Sequence, residues 1–277
     1  MADSATSEGT EGKRSMNIIV CVKQVPGTTK VEVDPVTGVL KRDGIESKLN
    51  PYDLFALEMA LRLREQTGGE VRTLSMGPPQ AAAALEETVA IGADGGVLLS
   101  DRKFAGSDVH ATSCAIRCGI EKMAPYDLII CGKQTTDGDT AQVGPEVAEM
   151  LGIEHASNVP RILSVEAQSI TVQVNLDDCL QTQRMRLPCL LTIEKDACTP
   201  RLPSYRRRKN CGADAVRIYS AADLDADETE RFGLKGSLTQ VERIFPPVKN
   251  DDKQIYEGDA EALEARLRAL LIDRRFI

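Results

Sequence analysis

The stretch 127–152, DLIICGKQTTDGDTAQVGPEVAEMLG, joins an apolar strand to a polar loop and a helix. The strand runs from Asp127 to Cys131 and ends in Gly132, the loop spans Thr135 to Thr140, and a helix begins near Gln142. That layout suits an anion, because N–H groups without partners and the positive end of the helix dipole face the loop. Gly138, Asp139, Thr140 and Ala141 are expected to supply those N–H groups, with hydroxyls from Thr136 and Thr140. Asp137 and Asp139 would oppose a phosphate if turned inward. They read better as N-cap or turn-fixing acceptors that shape the concavity. Gly144 and Pro145 are expected to let a bulky group pass close to the helix. The same residues fit equally well a capped turn that holds no ligand.

Little else in the chain is equipped for catalysis. Its two histidines, His110 and His155, stand beside no evident nucleophile, and neither a G-x-S-x-G elbow nor an H-E-x-x-H helix occurs. The first strand is not followed by G-x-G-x-x-G, so the usual dinucleotide fingerprint is missing. Eight cysteines, at 21, 114, 118, 131, 179, 189, 198 and 211, fall mostly in apolar strand or helix patterns. They read as buried thiols of a reducing, cytoplasmic compartment rather than as a disulfide scaffold. Cys114 and Cys118 share a helix face, but no second Cys/His pair completes a metal site. No catalytic residue and no metal ligand is assigned. The pattern is that of a nucleotide holder.

The elements around the loop follow from periodicity and punctuation. NIIVCVK (17–23) is a buried strand, and KVEVDPVTGVLKRDG (30–44) reads as a hairpin excursion. NPYDLFALEMALRLREQTGG (50–69) is an amphipathic helix with Asn50 able to cap, Pro51 in the first turn and Gly68-Gly69 as the stop. A strand at 70–76, a helix in 78–93, a strand at 96–100 and a helix over 108–124 precede the strand at 127–132. This alternation predicts an α/β fold, a doubly wound and mostly parallel sheet of Rossmann-like type. The ligand crevice of such a sheet lies beyond the carboxyl ends of its central strands. It would fall between CVKQVPGTT and GKQTTDGDT. From residue 153 a β excursion returns to a last apolar strand, PCLLTI, and 196–212 reads as an exposed loop with a basic run. An extended arm then leads to a helix at 259–272.

The chain has 277 residues and a formal charge of −8, which argues against nucleic acid or an anionic membrane as partner. No apolar run approaches the roughly 20 residues that span a bilayer. Residues 1–15 lack an apolar core and read as a disordered leader or a cloning remnant, not a secretory signal. The nucleotide-binding α/β domain is assigned to 16–225, and the arm with its helix to 226–277.

The segments CVKQVP, SKLNPYD, SMGPPQA, CGKQTTDGDTAQVGP, RLPCLLT and GLKGS, in this order, resemble the β subunit of electron transfer flavoprotein. The likeness runs over nearly the whole chain from Met16. Val172 to Thr192 is similar to the family signature, with Val174 in place of a basic residue and Cys179 in place of Gly or an acid. Gly27 replaces a frequent Asp. The resemblance implies a heterodimer with an α subunit that carries an electron-transferring FAD. The arm would pack on that subunit.

In housekeeping members the β-subunit crevice holds a structural AMP. In electron-bifurcating members it holds a second FAD that oxidises NADH. Single-flavin forms tend to read closer to D-D-x-N-Q-T-G, whereas Gly138 and Ala141 stand at that bend here and would leave room for a pyrophosphate. With MGPPQA and GLKGS, this favours FAD, with AMP as the alternative. The implied mechanism is hydride transfer from NADH. One electron then passes to ferredoxin or flavodoxin, the other through the α-subunit FAD to an acyl-CoA or related dehydrogenase. The implied cofactor-binding residues are Val22, Lys23, Ser75, Gly77, Gly132, Thr136, Asp137, Gly138, Asp139, Thr140, Ala141, Gln142 and Val143, with Asn50 and Pro51 near the isoalloxazine. The loop 194–209 corresponds to the family's dehydrogenase-recognition segment, in which Arg201, Arg206, Arg207 and Arg208 would face the partner. A solitary nucleotide-binding regulator is the competing class, and the C-terminal arm argues against it.

Overall fold

A computed structural model describes residues 15–27, 47–224, 230–242 and 253–277. The expected hairpin at 30–44 and all of the expected leader but Ser15 lie outside them. The chain opens with β1 (Met16–Cys21), β2 (Gln24–Pro26) and β3 (Ser47–Leu49), the last two paired antiparallel. Helix α1 (Pro51–Thr67) starts with Pro51 in its first turn, where the missing N–H costs nothing. It stops at Gly68 (φ 80°), and a Cβ on Gly69 would lie 2.0 Å from the Met16 carbonyl. Only glycine fits that junction into β4 (Gly69–Met76).

The alternation continues through α2 (Ala82–Ile91), β5 (Gly95–Leu99), α3 (Val109–Lys122), β6 (Leu128–Gly132) and α4 (Val143–Leu151). Next come β7 (Glu154–Val159), β8 (Arg161–Val165), β9 (Ser169–Leu176), β10 (Cys179–Arg186) and β11 (Cys189–Ile193). The chain then forms α5 (Tyr205–Asn210), β12 (Val216–Tyr219), α6 (Gly233–Gly236) and α7 (Ala260–Asp273).

Seven strands form one sheet in the order β12-β5-β4-β1-β6-β11-β7, and every neighbouring pair is parallel. The expected doubly wound architecture is observed. β1 and β6 are neighbours, with Cys21 opposite Cys131, so the winding reverses between them. Alternate residues of β1 serve opposite faces. Ile18 and Val20 pack with Ala56, Leu57 and Leu61 of α1 and Leu85 of α2, while Ile19 packs with Cys114, Ala115 and Ile120 of α3 and Val147 of α4. A sheet buried on both sides needs continuous apolar strands, which is why IIV and LII carry no alternation. The antiparallel sheet β10-β9-β8 adds Ile170, Val172 and Val174 to the α1 side.

Two expectations change. β7 and β12 are parallel strands of the main sheet where none was expected. The loop at 196–212 contains α5, capped by Ser204 through the Arg207 N–H. The compact unit reaches Val241, and α6 packs on α3 within it. The second unit, described by itself, carries α7, capped by the Asp259 carboxylate at the Ala262 N–H. Among the described residues no helix is long and apolar enough to cross a membrane.

Candidate functional site

At the carboxyl ends of β1 and β6 lies a cleft of about 400 Å³. Its floor is formed by Cys21, Val22, Lys23, Cys131 and Gly132 from the strand ends, with Asp53 from α1 and Met76 from β4. Asp53 binds the two strand ends together. Its carboxylate accepts the Lys23 N–H at 2.7 Å, the Asn50 side-chain amide at 2.9 Å and the Gly132 N–H. A Cβ on Gly132 would lie 2.4 Å from Asp53 Oδ1, so glycine alone lets the helix and strand approach this closely. Burial pushes the Asp53 carboxyl up to about 7, against the pull of those donors. Beside it, the hydrogen bond with Cys21 and burial raise the Cys131 thiol well above its ordinary value.

Asn50 does not cap α1 as expected. It holds the N-cap position, but its buried side chain also reaches the loop, donating to the Gln134 carbonyl at 2.9 Å and accepting the Thr136 N–H at 3.3 Å. Neither Asn50 nor Pro51 lines the cleft. Asn50 ties the start of α1 to the loop.

The loop after β6 is organised by its own aspartates. Asp137 Oδ1 accepts the Gly138 N–H at 2.8 Å, and both its oxygens accept the Lys23 ammonium, at 2.8 and 2.9 Å. Partial burial disfavours the charge on Asp137, but Lys23, the Thr135 hydroxyl and the Gly138 N–H outweigh it and hold the carboxyl below its usual range. Asp139 accepts from the Gln134 side chain. The turn-fixing role expected of these two acids is present. The N-cap role is not, since Gln142 stands at the N-cap of α4 and makes no side-chain cap bond.

The N–H donors shift accordingly. Those of Gly138 and Asp139 are engaged inside the loop by Thr135 and Asp137. Among the described residues no acceptor takes the N–H groups of Thr140, Ala141 and Gln142, and all three residues line the cleft with Val143. Asp139 (φ 54°) and Ala141 (φ 56°) adopt left-handed backbone, and Gln142 returns to the right-handed region. Such alternation turns successive N–H groups into a concave nest for an anion. Gly144 lines the cleft and also serves packing, because a Cβ there would lie 2.7 Å from Thr192 Cγ2 on β11.

The opposite rim was not foreseen. Ser107, Asp108, Val109 and Thr112 bring the N-terminus of α3 to the same cleft. Asp108 caps α3 through the Ala111 N–H and also accepts the Thr239 N–H and hydroxyl, while the Asp108 N–H donates to Ser237. The Gly233 N–H donates to Ser107, and Phe232 meets Phe104 edge to face at 5.2 Å. The segment 232–239 is thus strapped to the rim.

Of the expected cofactor residues, Val22, Lys23, Gly132, Gly138, Thr140, Ala141, Gln142 and Val143 line the cleft. Thr136, Asp137 and Asp139 are exposed and outside the lining, and Ser75, buried, and Gly77, half-buried, lie at the end of β4, also outside it. The Ser75 hydroxyl is buried without a hydrogen-bond partner among the described residues. Residues missed in the sequence include Asp53, Met76, Ser107, Asp108, Thr112 and Thr135. Asp108 carried a signal, an Asx three residues before a helical Ala, but nothing that placed it near the loop.

The basic segment behaves otherwise. Arg201 Nε donates to the buried Glu58 at 2.7 Å and its Nη1 to Glu65 at 2.7 Å, clamping the chain to α1. Arg207 donates to the carbonyls of Val89, Gly92 and Ala93 at the end of α2. Both arginines are therefore bonded to the fold, Arg201 half-buried and Arg207 exposed. Arg206 and Arg208 are exposed, and so are Leu202 and Tyr205, 88% and 81% accessible.

A family model described as electron transfer flavoprotein domain matches residues 37–229. The chain is 43% identical to the electron transfer flavoprotein subunit beta of Thermoanaerobacterium thermosaccharolyticum, over 95% of this chain and 100% of the relative. It is 42% identical to protein FixA of Azorhizobium caulinodans over 86% of this chain and 87% of that one. To subunit CarD of the caffeyl-CoA reductase-Etf complex of Acetobacterium woodii it is 41% identical, over 95% of this chain and 100% of the relative. With the parallel sheet, the cleft at its switch point and the strapped rim, these likenesses show that the chain belongs to the electron transfer flavoprotein β-subunit family.

Proposed function

We propose that the cleft holds FAD and that the chain pairs with an electron transfer flavoprotein α subunit as the NADH-oxidising half of a cytoplasmic, electron-bifurcating complex. The observation that carries this reading is the meeting of two helix N-termini, those of α3 and α4, at one cleft with three uncommitted loop N–H groups. Two positive ends suit the two charges of a pyrophosphate better than a single phosphate. The Thr135, Thr140 and Thr112 hydroxyls supply further polar partners, so the residues present fit the group.

FAD bound here would supply hydride acceptance from NADH and single-electron release, one toward ferredoxin or flavodoxin and one through the α-subunit FAD to an acyl-CoA or related dehydrogenase. The chain's own part is binding and orientation. Thr140 to Val143 face the anion, Lys23 and Asp137 hold the loop closed, and Asn50 fixes the loop to α1. Arg206, Arg208 and the exposed Leu202 and Tyr205 form the dehydrogenase-docking surface, and the arm from residue 226 packs on the α subunit. The relative named for a caffeyl-CoA reductase complex supports a CoA-linked partner.

The cleft volume, about 400 Å³, favours the second reading, a structural AMP with no redox centre in this chain. Anaerobic titration of the purified two-subunit complex with NADH separates the two. Loss of oxidised-flavin absorbance with NADH alone is expected, and a flavin that NADH leaves oxidised would overturn the bifurcating reading.

A further inference from the structure

We propose that the strap formed by residues 232–239 masks the Asp108 carboxylate from an anionic nucleotide, which makes Asp108 and Thr239 positioning residues of the cleft. This rests on the nucleotide reading above, and it concerns how the cleft admits negative charge rather than which nucleotide it prefers. Asp108 lines the cleft together with Thr140, Ala141 and Gln142, the residues whose N–H groups would meet the anion. A carboxylate on that rim opposes an anion twice. It repels the incoming charge directly, and as the N-cap of α3 it offsets the positive end of that helix.

The carboxylate is not left open to the cleft. Its Oδ1 accepts the Ala111 N–H at 3.0 Å, while Oδ2 accepts both the Thr239 N–H at 2.8 Å and the Thr239 hydroxyl at 2.9 Å. These donors are neutral, so the charge stays, but each sets the positive end of a dipole against it. They also fix the side chain in one place. Burial works against the charge on Asp108, yet the same donors outweigh it, so the group being masked is an ionised one. The strap is built to stay there. The Asp108 N–H donates to the Ser237 hydroxyl at 2.9 Å, which donates in turn to the Gly233 carbonyl at 2.8 Å, and the Gly233 N–H donates to Ser107 at 3.1 Å. Gly233 has φ 62°, and a Cβ there would lie 2.2 Å from the Lys103 carbonyl oxygen, so glycine alone brings the strap this close. Phe232 anchors it from a buried position against Phe104. Thr239 itself is exposed, so its hydroxyl serves no core packing, and its bond goes to Asp108.

The full-length chain, freed of nucleotide, is titrated calorimetrically with ADP-ribose at low and at high salt. Thr239→Val takes the hydroxyl from Asp108 and should weaken binding on the order of fivefold at low salt, because the carboxylate is less masked. The loss should shrink at high salt, since it comes from repulsion between charges. Thr239→Ser keeps a hydroxyl and should restore wild-type affinity. Asp108→Asn keeps a capping oxygen for α3 without the charge, and should bind ADP-ribose more tightly than the wild type. Adding Thr239→Val to Asp108→Asn should then cost nothing further. A Thr239→Val chain that binds as the wild type does, or a loss that ignores salt, overturns the inference alone. So does a loss that persists beside Asp108→Asn, because the strap would then only prop the rim. Failure of the wild type to bind ADP-ribose at either salt overturns the nucleotide reading and the inference with it.

Discussion

The loop that follows β6 and the segment that follows β11 leave neighbouring strands of one sheet, and both are polar in sequence. They treat their polar groups in opposite ways. In the first, the polar side chains secure one another, Lys23 with Asp137 and Gln134 with Asp139, and backbone N–H groups are left facing the cleft. In the second, Arg201 and Arg207 spend their donors on α1 and the end of α2, and apolar Leu202 with Tyr205 is left facing solvent. Charge in a sequence thus marks what holds a loop in place, while the surface that meets a ligand or partner is what remains uncommitted.

The largest effect that would sharpen this contrast is on pH dependence. Asp53 titrates near 7 in the fold and at 3.8 ordinarily, so between about pH 4 and 7 the fold holds a proton that the unfolded chain has released. Stability should fall across that window as pH rises, by on the order of 4 kcal/mol if this group acts alone. Asp53→Asn should flatten that slope in denaturation curves taken at a series of pH values. A slope that survives the substitution would mean the carboxyl is not the buried, charge-averse group described above.

Next in size is the clamp on the other side. Arg201→Ala leaves the buried Glu58 with Arg62 alone and should cost about 3 kcal/mol in urea unfolding, close to the loss seen when one partner of a buried pair is removed. A cost within 0.5 kcal/mol, the usual range for surface changes, would return Arg201 to the surface and erase the contrast.

Ala141 tests the cleft loop more gently. Glycine there relieves left-handed strain, so Ala141→Gly should stabilise by about 1 kcal/mol at most. Ala141→Asn tolerates the same backbone but adds bulk at the nest. It should weaken FAD more than AMP in equilibrium dialysis, and equal losses would remove the size argument.

The smallest stability effect belongs to the exposed arginines. Arg206→Glu with Arg208→Glu should leave unfolding within about 0.5 kcal/mol of the parent. The pair should slow electron transfer to the dehydrogenase while NADH still reduces the flavin. Partner turnover that stays unchanged at low salt would deny them a steering role.

Most of the fold was legible because its signals are local. Pro51, Gly68 and Gly69 bracket α1, and the unbroken apolar runs of β1 and β6 mark strands covered on both faces. β7 and β12 escaped notice because they are edge strands. EHASNV buries only Ala156 and Val159, and none of the residues of VRIY is fully buried, so neither shows an apolar run. The cleft loop was read correctly as an acid-shaped turn, but which N–H groups remain open depends on hydrogen bonds that Thr135 and Asp137 make. Asp53 stands in the first turn of α1, where the helix dipole welcomes an acid. Its burial comes from β1 and β6 closing over it, and contacts so distant in sequence leave no periodic trace. The bonds of Arg201 and Arg207 left no trace for the same reason, since Glu58 and the Val89 carbonyl lie far away along the chain.

The most direct measurement is the nucleotide content of the purified two-subunit complex, released by denaturation and resolved by chromatography. The expected result is two FAD per heterodimer and no AMP. One FAD with one AMP would contradict it, and would make the cleft a structural adenylate site.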